Sequence, residues 1–515
     1  MSGSMVGAPG APGTKGLKTG ALGFVSNVVI GVASTAPAYS LAVSLGLVAA
    51  LVGIASPAIM WLAFLPMLCI AIAYYYMNRA DPDCGTSFTW VARAMGPRIG
   101  WMTGWAIIVA DVIVMASLAE VAAQYTFSLF GRDVLAEPVL AIQVGEQAID
   151  FGVIALGVLF VAVLTWICYR GIELSARTQV VLLGVELFAL ALFAVVALAR
   201  VYTDPPDGAI LPALEWLNPF AIVDGDGAFD ASALAGGLVI ALFIFWGWDT
   251  TATVNEESAN PTEQPGRASV ASTFILVGTY VLLAIAIQAW TGVNRLAEAG
   301  ESDILAIIAN EVLGSPLDKL VILAVLTSAA ASTQTTILPT ARTAFSMGAK
   351  GALPSMWAKV HPRFQTPTNA TIWMGILSVV FYIGLKLVSE NIYYDALLAL
   401  GLMIAFYYGL TGYACAIYYR HWLTRSARNL LFMGILPVAG GVVLTWAFVQ
   451  SVVDLANPEN SYSGVSWFGI SVPLAITIAS LVLGLVLMVL WWMRSPAFFR
   501  TRPEAFSGEA AGPPA

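Results

Sequence analysis

Long apolar runs recur along the whole of this 515-residue chain and limit it to one class of fold. Twelve runs are roughly 20 residues long, enough for a helix to cross a bilayer core of about 30 Å. Membrane β-barrel strands are about ten residues long and alternate in polarity, and these runs do not. We therefore predict an all-α polytopic membrane protein with twelve transmembrane helices, over residues 21–52, 54–76, 101–130, 151–169, 178–198, 233–254, 270–290, 320–345, 370–385, 396–419, 430–452 and 467–492.

The composition agrees with a membrane protein and excludes an ordinary soluble domain. Hydrophobic residues make up 59% of the chain and charged residues 10%, whereas charged residues are about 25% of a soluble domain. The first run is far longer than the roughly 7–15 apolar residues of a secretory signal, so we expect a plasma-membrane protein that retains this segment. The segments 1–20 and 493–515 are predicted to be disordered cytoplasmic ends.

The distribution of Lys and Arg predicts the orientation of the spans. Eighteen of the 23 Lys and Arg residues fall on the side of the N-terminus, and basic residues concentrate on the cytoplasmic side of a membrane. Both termini are therefore predicted to be cytoplasmic. The net charge of −8 comes largely from acidic loops on the other side, within 201–232 above all. We interpret these loops as solvated and expect no nucleic-acid partner.

Several chemistries have no motif in this chain. It has no glycine-rich phosphate loop followed by Lys and Ser or Thr, and no zinc-protease or nucleophile-elbow motif at a suitable position. The four cysteines lack metal-site spacing, and both histidines fall in predicted cytoplasmic loops. We therefore expect no enzyme, no metal site and no cofactor, and an ion gradient or exchange as the energy source.

Asp249 lies inside the apolar run 233–254, two residues after Gly247. A carboxylate at bilayer depth costs at least a few kcal/mol unless it is protonated, paired or hydrated, and glycine makes local unwinding of a helix easier. An ionisable residue beside a helix break at this depth is typical of a substrate or ion site. This combination predicts a transporter.

The first run carries a matching weak point between Gly31 and Pro37. Proline removes one helical hydrogen bond, and nearby hydroxyls can satisfy the freed backbone groups. Five runs start at residue 21 and five more at residue 233, each set with a break in its first helix. We predict a five-plus-five inverted repeat, 21–200 and 233–419, with discontinuous helices 1 and 6 and two further helices over 430–492. A single kinked span would more often be merely structural.

Such breaks suit a zwitterion, and nearby carboxylates suit a coupling ion. Half-helix N-termini favour a carboxylate, and unwound carbonyls favour an ammonium group or a cation. Asp111 and Glu120, nine residues apart, face opposite sides of one helix, so at most one can reach the same cavity. Glu186 lies in the fifth run. Isolated carboxylates at this depth point to protons, although each can equally be a protonated or paired structural group.

Three segments resemble the amino acid–polyamine–organocation permease superfamily. They are 82–105 (PDCGTSFTWVARAMGPRIGWMTGW), 245–268 (FWGWDTTATVNEESANPTEQPGRA) and 340–367 (TARTAFSMGAKGALPSMWAKVHPRFQTP). The resemblance implies the inverted five-plus-five fold of the bacterial leucine transporter and secondary transport of amino acids or amines. In that comparison Gly247 matches the break in helix six, Asp249 matches a residue linked to proton sensing, and Phe243 lies near a gating aromatic. Glu186 stands where some proton-coupled relatives have lysine.

Our hypothesis is a transporter of amino acids, coupled to protons, that works by alternating access. The alternatives are a polyamine or sodium-coupled carrier, an exchanger, and a sensor or channel without coupled transport. The predicted substrate-binding residues are Gly31, Ala33, Ser34, Thr35, Ala36, Phe243, Phe245, Trp246 and Gly247. The predicted proton or ion-coupling residues are Asp249, Glu186, Asp111, Ser328 and Ser332.

Overall fold

The computed structural model of the chain describes residues 15–132, 134, 138–144, 147–223, 227–300, 304–388, 390–461, 463 and 465–505. Within these residues, helices follow one another through short connections, and the strands form two small antiparallel hairpins. The predicted all-α architecture is confirmed. The predicted disordered ends fall partly outside the described residues, at 1–14 and 506–515.

The helices, in chain order, are α1 (Phe24–Ser34), α2 (Pro37–Val52), α3 (Ser56–Ala80), α4 (Thr86–Met95), α5 (Pro97–Leu129), α6 (Phe151–Arg170), α7 (Ile172–Thr203), α8 (Ala231–Ile244), α9 (Thr250–Thr253), α10 (Gln264–Ala299), α11 (Ile304–Leu313), α12 (Lys319–Ala349), α13 (Thr368–Val388), α14 (Glu390–Tyr418), α15 (Ala427–Asn429), α16 (Leu436–Leu455) and α17 (Val472–Arg494). A π-helical segment, Leu430–Ile435, joins α15 to α16. The hairpins pair β1 (Ala141–Val144) with β2 (Gln147–Asp150), and β3 (Ser466–Trp467) with β4 (Ile470–Ser471).

Ten segments of the described residues are long and apolar enough to cross a membrane. The first of them, Phe24–Ala80, contains α1, α2 and α3, while α8 has only 14 residues. The chain is therefore a multi-pass membrane protein. The exact number of twelve spans and the inverted repeat stay predictions.

The helix boundaries differ from the predicted apolar runs in three respects. Helices such as α7 are longer than their runs, because backbone hydrogen bonding continues into polar residues. Two helices without a predicted run, α4 and α11, lie between spans. The final run, 467–492, begins with the β3–β4 hairpin and becomes helical only at Val472.

The centre of the fold is the hydroxyl-rich helix α12, which packs against α1, α5 and α7. All of its residues from Thr327 to Gly348 are buried. In contrast, α17 exposes large apolar side chains such as Val482 and Leu490. Helices that are apolar on every face are typical of membrane spans, so α17 is suited to contact with lipid and α12 to the interior.

Within segment 1–20, Lys15 and Leu17 contact the rest of the fold, whereas Gly16, Thr19 and Gly20 are exposed. The predicted disorder of this segment stays a prediction. Leu17 is buried in an apolar cluster. The Lys15 ammonium group lies 2.8 Å from Asp83 and 2.7 Å from Glu256. Two buried carboxylates and an apolar cluster give this short segment partners that its composition did not reveal.

Candidate functional site

The first predicted helix break is present between α1 and α2. Helix α1 ends at Ser34, and α2 begins at Pro37. Between them Ala36 has a φ of +47°, a left-handed conformation that is unusual for a residue with a side chain. Proline is well suited to the first position of α2 because it has no N–H to leave unpaired there.

The second break separates α8 from α9 and lies directly against the first. Gly247, in this break, has a φ of +119°. A Cβ atom on Gly247 would lie 2.6 Å from the Ser34 carbonyl oxygen, so only glycine permits this approach. The hydroxyls of Ser34 and Thr250 are 2.8 Å apart and hydrogen-bonded. The fold therefore brings together two interruptions that are more than 200 residues apart in sequence.

A small cavity lies beside these two breaks. The lining residues come from both breaks and from α5, α12 and α14: Ser34, Ile107, Asp111, Trp246, Gly247, Asp249, Thr250, Thr336, Pro339 and Tyr407. Five residues that we predicted, Ser34, Asp111, Trp246, Gly247 and Asp249, are thus brought together.

Asp249 is held by three tyrosine hydroxyls. Tyr408 donates to Oδ1 at 2.8 Å, and Tyr74 and Tyr407 approach Oδ2 at 3.2 and 3.3 Å. Phenolic O–H groups are suitable donors to a carboxylate and carry no compensating charge. These tyrosines were not among the predicted site residues. The sequence signals that could have indicated them are two runs of adjacent tyrosines in apolar segments, Tyr74–Tyr76 and Tyr407–Tyr408.

Asp111 reaches the same cavity from α5. Thr340 donates a hydrogen bond of 2.9 Å to its Oδ2 atom. Glu120 faces away from the cavity, as the helical spacing predicted, and its carboxylate contacts Tyr382 and Lys386. Among the residues that the structure describes, no Lys, Arg or His lines the cavity. Two carboxylates therefore share one small space without a basic partner.

Glu186, a residue of α7, does not line the cavity but contacts the start of α2. Its Oε1 atom accepts a 2.9 Å hydrogen bond from the Ala38 amide, while Ser328 accepts one from the Tyr39 amide. The Oε2 atom is buried and has no partner among the described residues. The N–H groups at the start of α2 were expected to suit a substrate carboxylate. In the structure they donate to Glu186 and Ser328 instead.

The remaining predicted residues surround the site without lining the cavity. Ser332 donates to the Ser34 carbonyl oxygen at 2.9 Å. Gly31 packs against Thr251 and Ser272. Thr35 and Ala36 form the α1–α2 break, and Ala33 lies in the last turn of α1, where its carbonyl accepts from the Ala36 N–H. The side chains of Phe243 and Phe245 pack into the apolar core. Trp246, rather than Phe243, is the aromatic residue of this segment that lines the cavity, because α8 has already ended at Ile244.

A second polar cluster lies on the face predicted to be cytoplasmic. Asp83, Cys84 and Glu256 come close enough for their ligand atoms to surround a metal ion. The Lys15 ammonium group already contacts both carboxylates, so this arrangement is that of an ion-pair network. The sequence analysis assigned none of these residues to a common site.

The family model described as "Amino acid permease" matches residues 19–479. The chain belongs to the amino acid permease family. This confirms the resemblance that the three segments indicated.

The relatives of this amino acid permease are distant but carry consistent names. The branched-chain amino acid permease BcaP of Bacillus subtilis is 25% identical over 62% of this chain and 65% of its own length. The vacuolar cationic amino acid transporter 4 of Arabidopsis thaliana is 22% identical over 64% of this chain and 53% of its own length. BcaP of Lactococcus lactis is 24% identical over 78% of this chain and 82% of its own length. The match thus spans slightly less than two thirds of the first relative and about half of the second.

Proposed function

We propose that this permease takes up amino acids by alternating access, coupled to protons. The observation that carries the proposal is the cavity where two interrupted helices meet beside Asp111 and Asp249. Carboxylates at membrane depth that have no basic partner are typical of proton and substrate sites. The permease family and the names of the relatives support an amino acid as the substrate class.

The two breaks have complementary roles in this proposal. The end of α1 near residues 31–36 offers backbone carbonyls, and the unwound backbone near residues 245–249 offers N–H groups, to the two ends of a zwitterion. Asp249 attracts the ammonium group or carries the coupling proton, and its own negative charge excludes it as the partner of a substrate carboxylate. Glu186, with Ser328 beside it, holds the start of α2 and is the second candidate for proton coupling.

We also propose twelve spans, ten of them in a five-plus-five inverted repeat. The protein is proposed to lie in the plasma membrane with both termini in the cytoplasm. Counting α1 with α2, and α8 with α9, as one interrupted span each gives this number. The excess of Lys and Arg on the N-terminal side supports the orientation. Labelling of single cysteines introduced at Ser2 and Gly208 from each side of a vesicle tests it.

Uptake into proteoliposomes tests the coupling. We expect labelled amino acid to accumulate when an inward pH gradient is imposed, and we expect Asp249→Asn to abolish accumulation while substrate still binds. Glu186→Gln is expected to reduce accumulation as well. If both variants retain full gradient-driven accumulation, the proton-coupling assignment is wrong.

Sodium coupling is the second candidate, because Glu186, whose Oε2 atom is buried without a hydrogen bond from the described residues, and Ser328, whose hydroxyl can coordinate a cation, both contact the start of α2. A requirement for sodium at constant pH, lost in Glu186→Gln, would favour this alternative over proton coupling.

A further inference from the structure

We propose that the corner between α6 and α7, on the face predicted to be cytoplasmic, binds one anionic phospholipid. Arg170 and Arg363 hold the headgroup phosphate, and the exposed face of α6 holds the acyl chain next to it. This corner lies outside the cavity between the helix breaks. Binding of a lipid here is therefore independent of the proposed transport function.

One exposed face of α6 changes from apolar to basic along its length. Leu159, Val163, Trp166 and Arg170 follow one another at intervals of four, three and four residues, so they lie on one face of the helix. All four are exposed, Leu159 to 55% and Trp166 to 53%. Trp is typical of the membrane–water interface. The order therefore matches the acyl chain, the interface and the headgroup of a lipid that lies along α6.

Two guanidinium groups meet at a single aromatic ring beside this face. The Cζ atoms of Arg170 and Arg363 lie 5.1 and 5.6 Å from the centroid of the Phe364 ring. Arg170 also lies 5.1 Å from the centroid of the Trp166 ring. A cation–π contact holds a guanidinium group without neutralising its charge. Both arginines, which are exposed, therefore keep their N–H donors for an anion.

The Phe364 ring is fixed by the turn that carries it. His361 stacks on this ring with 4.4 Å between the centroids, and Tyr169 packs edge-on against both rings. The Nδ1 atom of His361 accepts hydrogen bonds of 3.1 Å from the N–H groups of Arg363 and Phe364. Thr366 joins the turn to α6, because its hydroxyl donates to the Tyr169 carbonyl oxygen at 2.8 Å. The basic groups are thus held on an ordered support, which lowers the cost of binding.

The charge of the corner favours an anion. The ion pairs of the described residues include neither Arg170 nor Arg363. Glu173, at the start of α7, is paired with Lys18 at 2.8 Å. Arg177 adds another exposed positive charge one helical turn later. Positive charge is therefore in excess where α6 and α7 meet.

A phospholipid fits this corner better than a soluble phosphate compound. Arginine donates paired hydrogen bonds to any phosphate, so the guanidinium groups alone do not distinguish the two. The exposed apolar side chains beside them, Leu159 and Val163 on α6 and Leu174 on α7, give favourable contacts only to an acyl chain. Anionic lipids also give the cytoplasmic leaflet a negative surface potential that attracts basic residues.

Titration of the purified permease with dioleoylphosphatidylglycerol in uncharged detergent tests the inference, with thermal unfolding as the readout. Dioleoylphosphatidylcholine has the same acyl chains and no net charge, and we expect it to raise the Tm only at higher concentrations. In Arg170→Gln and in Arg363→Gln, we expect the concentration of phosphatidylglycerol at half-maximal stabilisation to rise about fivefold. Because both side chains are exposed, we expect an unchanged Tm without lipid, which shows that the variants are folded.

Arg98→Gln is the matched control for general attraction between a basic surface and an anionic lipid. Arg98 is also exposed and lies 4.2 Å from the centroid of the Trp492 ring, but no second arginine of the described residues shares that ring. We expect the phosphatidylglycerol midpoint of this variant to change less than about twofold. An equal rise in Arg98→Gln and Arg170→Gln would mean that only the total surface charge matters, and it would overturn the inference.

Three other results would also overturn the inference. The first is equal stabilisation of the wild type by phosphatidylglycerol and phosphatidylcholine at every concentration. The second is an unchanged phosphatidylglycerol midpoint in both Arg170→Gln and Arg363→Gln. The third is full stabilisation by glycerol 3-phosphate at the concentrations at which phosphatidylglycerol acts, which would assign the corner to a soluble phosphate compound.

Discussion

At the scale of single residues, the environment of Asp249 is unusual for a membrane protein. Three phenolic hydroxyls surround the carboxylate, and no basic side chain of the described residues pairs with it. A hydrogen bond to a charged group contributes about 1.5–3 kcal/mol, and a neutral donor leaves the net charge of the site unchanged. Asp249 is therefore oriented by its neighbours but stays available to a cation or a proton.

Tyr408→Phe is expected to destabilise the folded protein by about 1–3 kcal/mol, because Oδ1 of Asp249 loses its donor in a buried environment. Thermal unfolding in detergent measures the change. The matched control is Tyr413→Phe on the same helix, whose hydroxyl bonds to Thr445 where it is exposed; we expect less than about 1 kcal/mol there. Equal effects of the two variants would contradict the assigned role of the Tyr408 hydroxyl.

At the scale of secondary-structure elements, the site depends on two breaks in the helical backbone, one between α1 and α2 and one between α8 and α9. The α1–α2 break is enforced by Pro37 and a left-handed residue, and the α8–α9 break by Gly247. Each break is stabilised by the other, through the Ser34–Thr250 hydrogen bond and the close approach of Gly247 to Ser34. A change at one break is therefore transmitted to its partner.

Gly247→Ala is expected to cost at least about 2 kcal/mol and to abolish substrate binding, because its φ is unfavourable for alanine and its Cβ would overlap backbone atoms of Ser34. Gly401→Ala in α14 is the control, since no atom lies within 4 Å of the new methyl group. There we expect unchanged or slightly higher stability, as alanine is the better helix former. Thermal unfolding and ligand-dependent stabilisation report on both. Normal binding by Gly247→Ala would contradict the close contact of the two breaks.

At the scale of the whole molecule, a charged network joins segments that are distant in sequence. Lys15 and Lys350 contact Asp83, and Lys15 also contacts Glu256. Close by, Arg342 pairs with the fully buried Glu257 at 2.5 Å. The N-terminal segment is thereby tied to the ends of α3, α9 and α12, on the face predicted to be cytoplasmic. We expect access from that face to require these contacts to separate.

Lys15→Gln is expected to increase the rate at which a maleimide modifies Cys84, which is fully buried beside Lys15. Burial, together with Glu256, raises the pKa of the Cys84 thiol. Lys15 opposes this shift, so its loss alone would slow modification, and faster modification therefore reports opening. Lys18→Gln is the control, because its pair with Glu173 is exposed. Modification that is no faster in Lys15→Gln than in Lys18→Gln would contradict a closing role for Lys15.

The ion pair between Lys15 and Asp83 predicts a pH dependence of the stability of the folded protein. Burial alone would raise the pKa of Asp83, but Lys15 and Lys350 lower it well below its usual value. A carboxyl whose pKa is lowered by folding stabilises the protein above its unfolded pKa of about 4, and this contribution is lost as the pH falls further. The Tm difference between wild type and Lys15→Gln is thus expected to be full at pH 6–7 and to shrink below about pH 4. A difference that does not change with pH would contradict this prediction.

Much of this molecule was predictable from the sequence. Apolar runs of bilayer length predict helices, because only internal hydrogen bonding satisfies a backbone in lipid. The breaks at Pro37 and Gly247 were predictable because they follow from local backbone chemistry. Helical spacing alone correctly separated Asp111 from Glu120. The three motif segments indicated the family that residues 19–479 confirm.

Only the tertiary structure decided which polar groups meet. It placed Asp111 beside Asp249 in one cavity. It also placed the Glu186 carboxylate against the start of α2 and surrounded Asp249 with tyrosines from α3 and α14. Hydrophobic patterning could not reveal these neighbours, because helix faces toward lipid and toward the protein core are both apolar. The sequence therefore determined the helices, their breaks and the family, whereas the packing of side chains between helices determined the site.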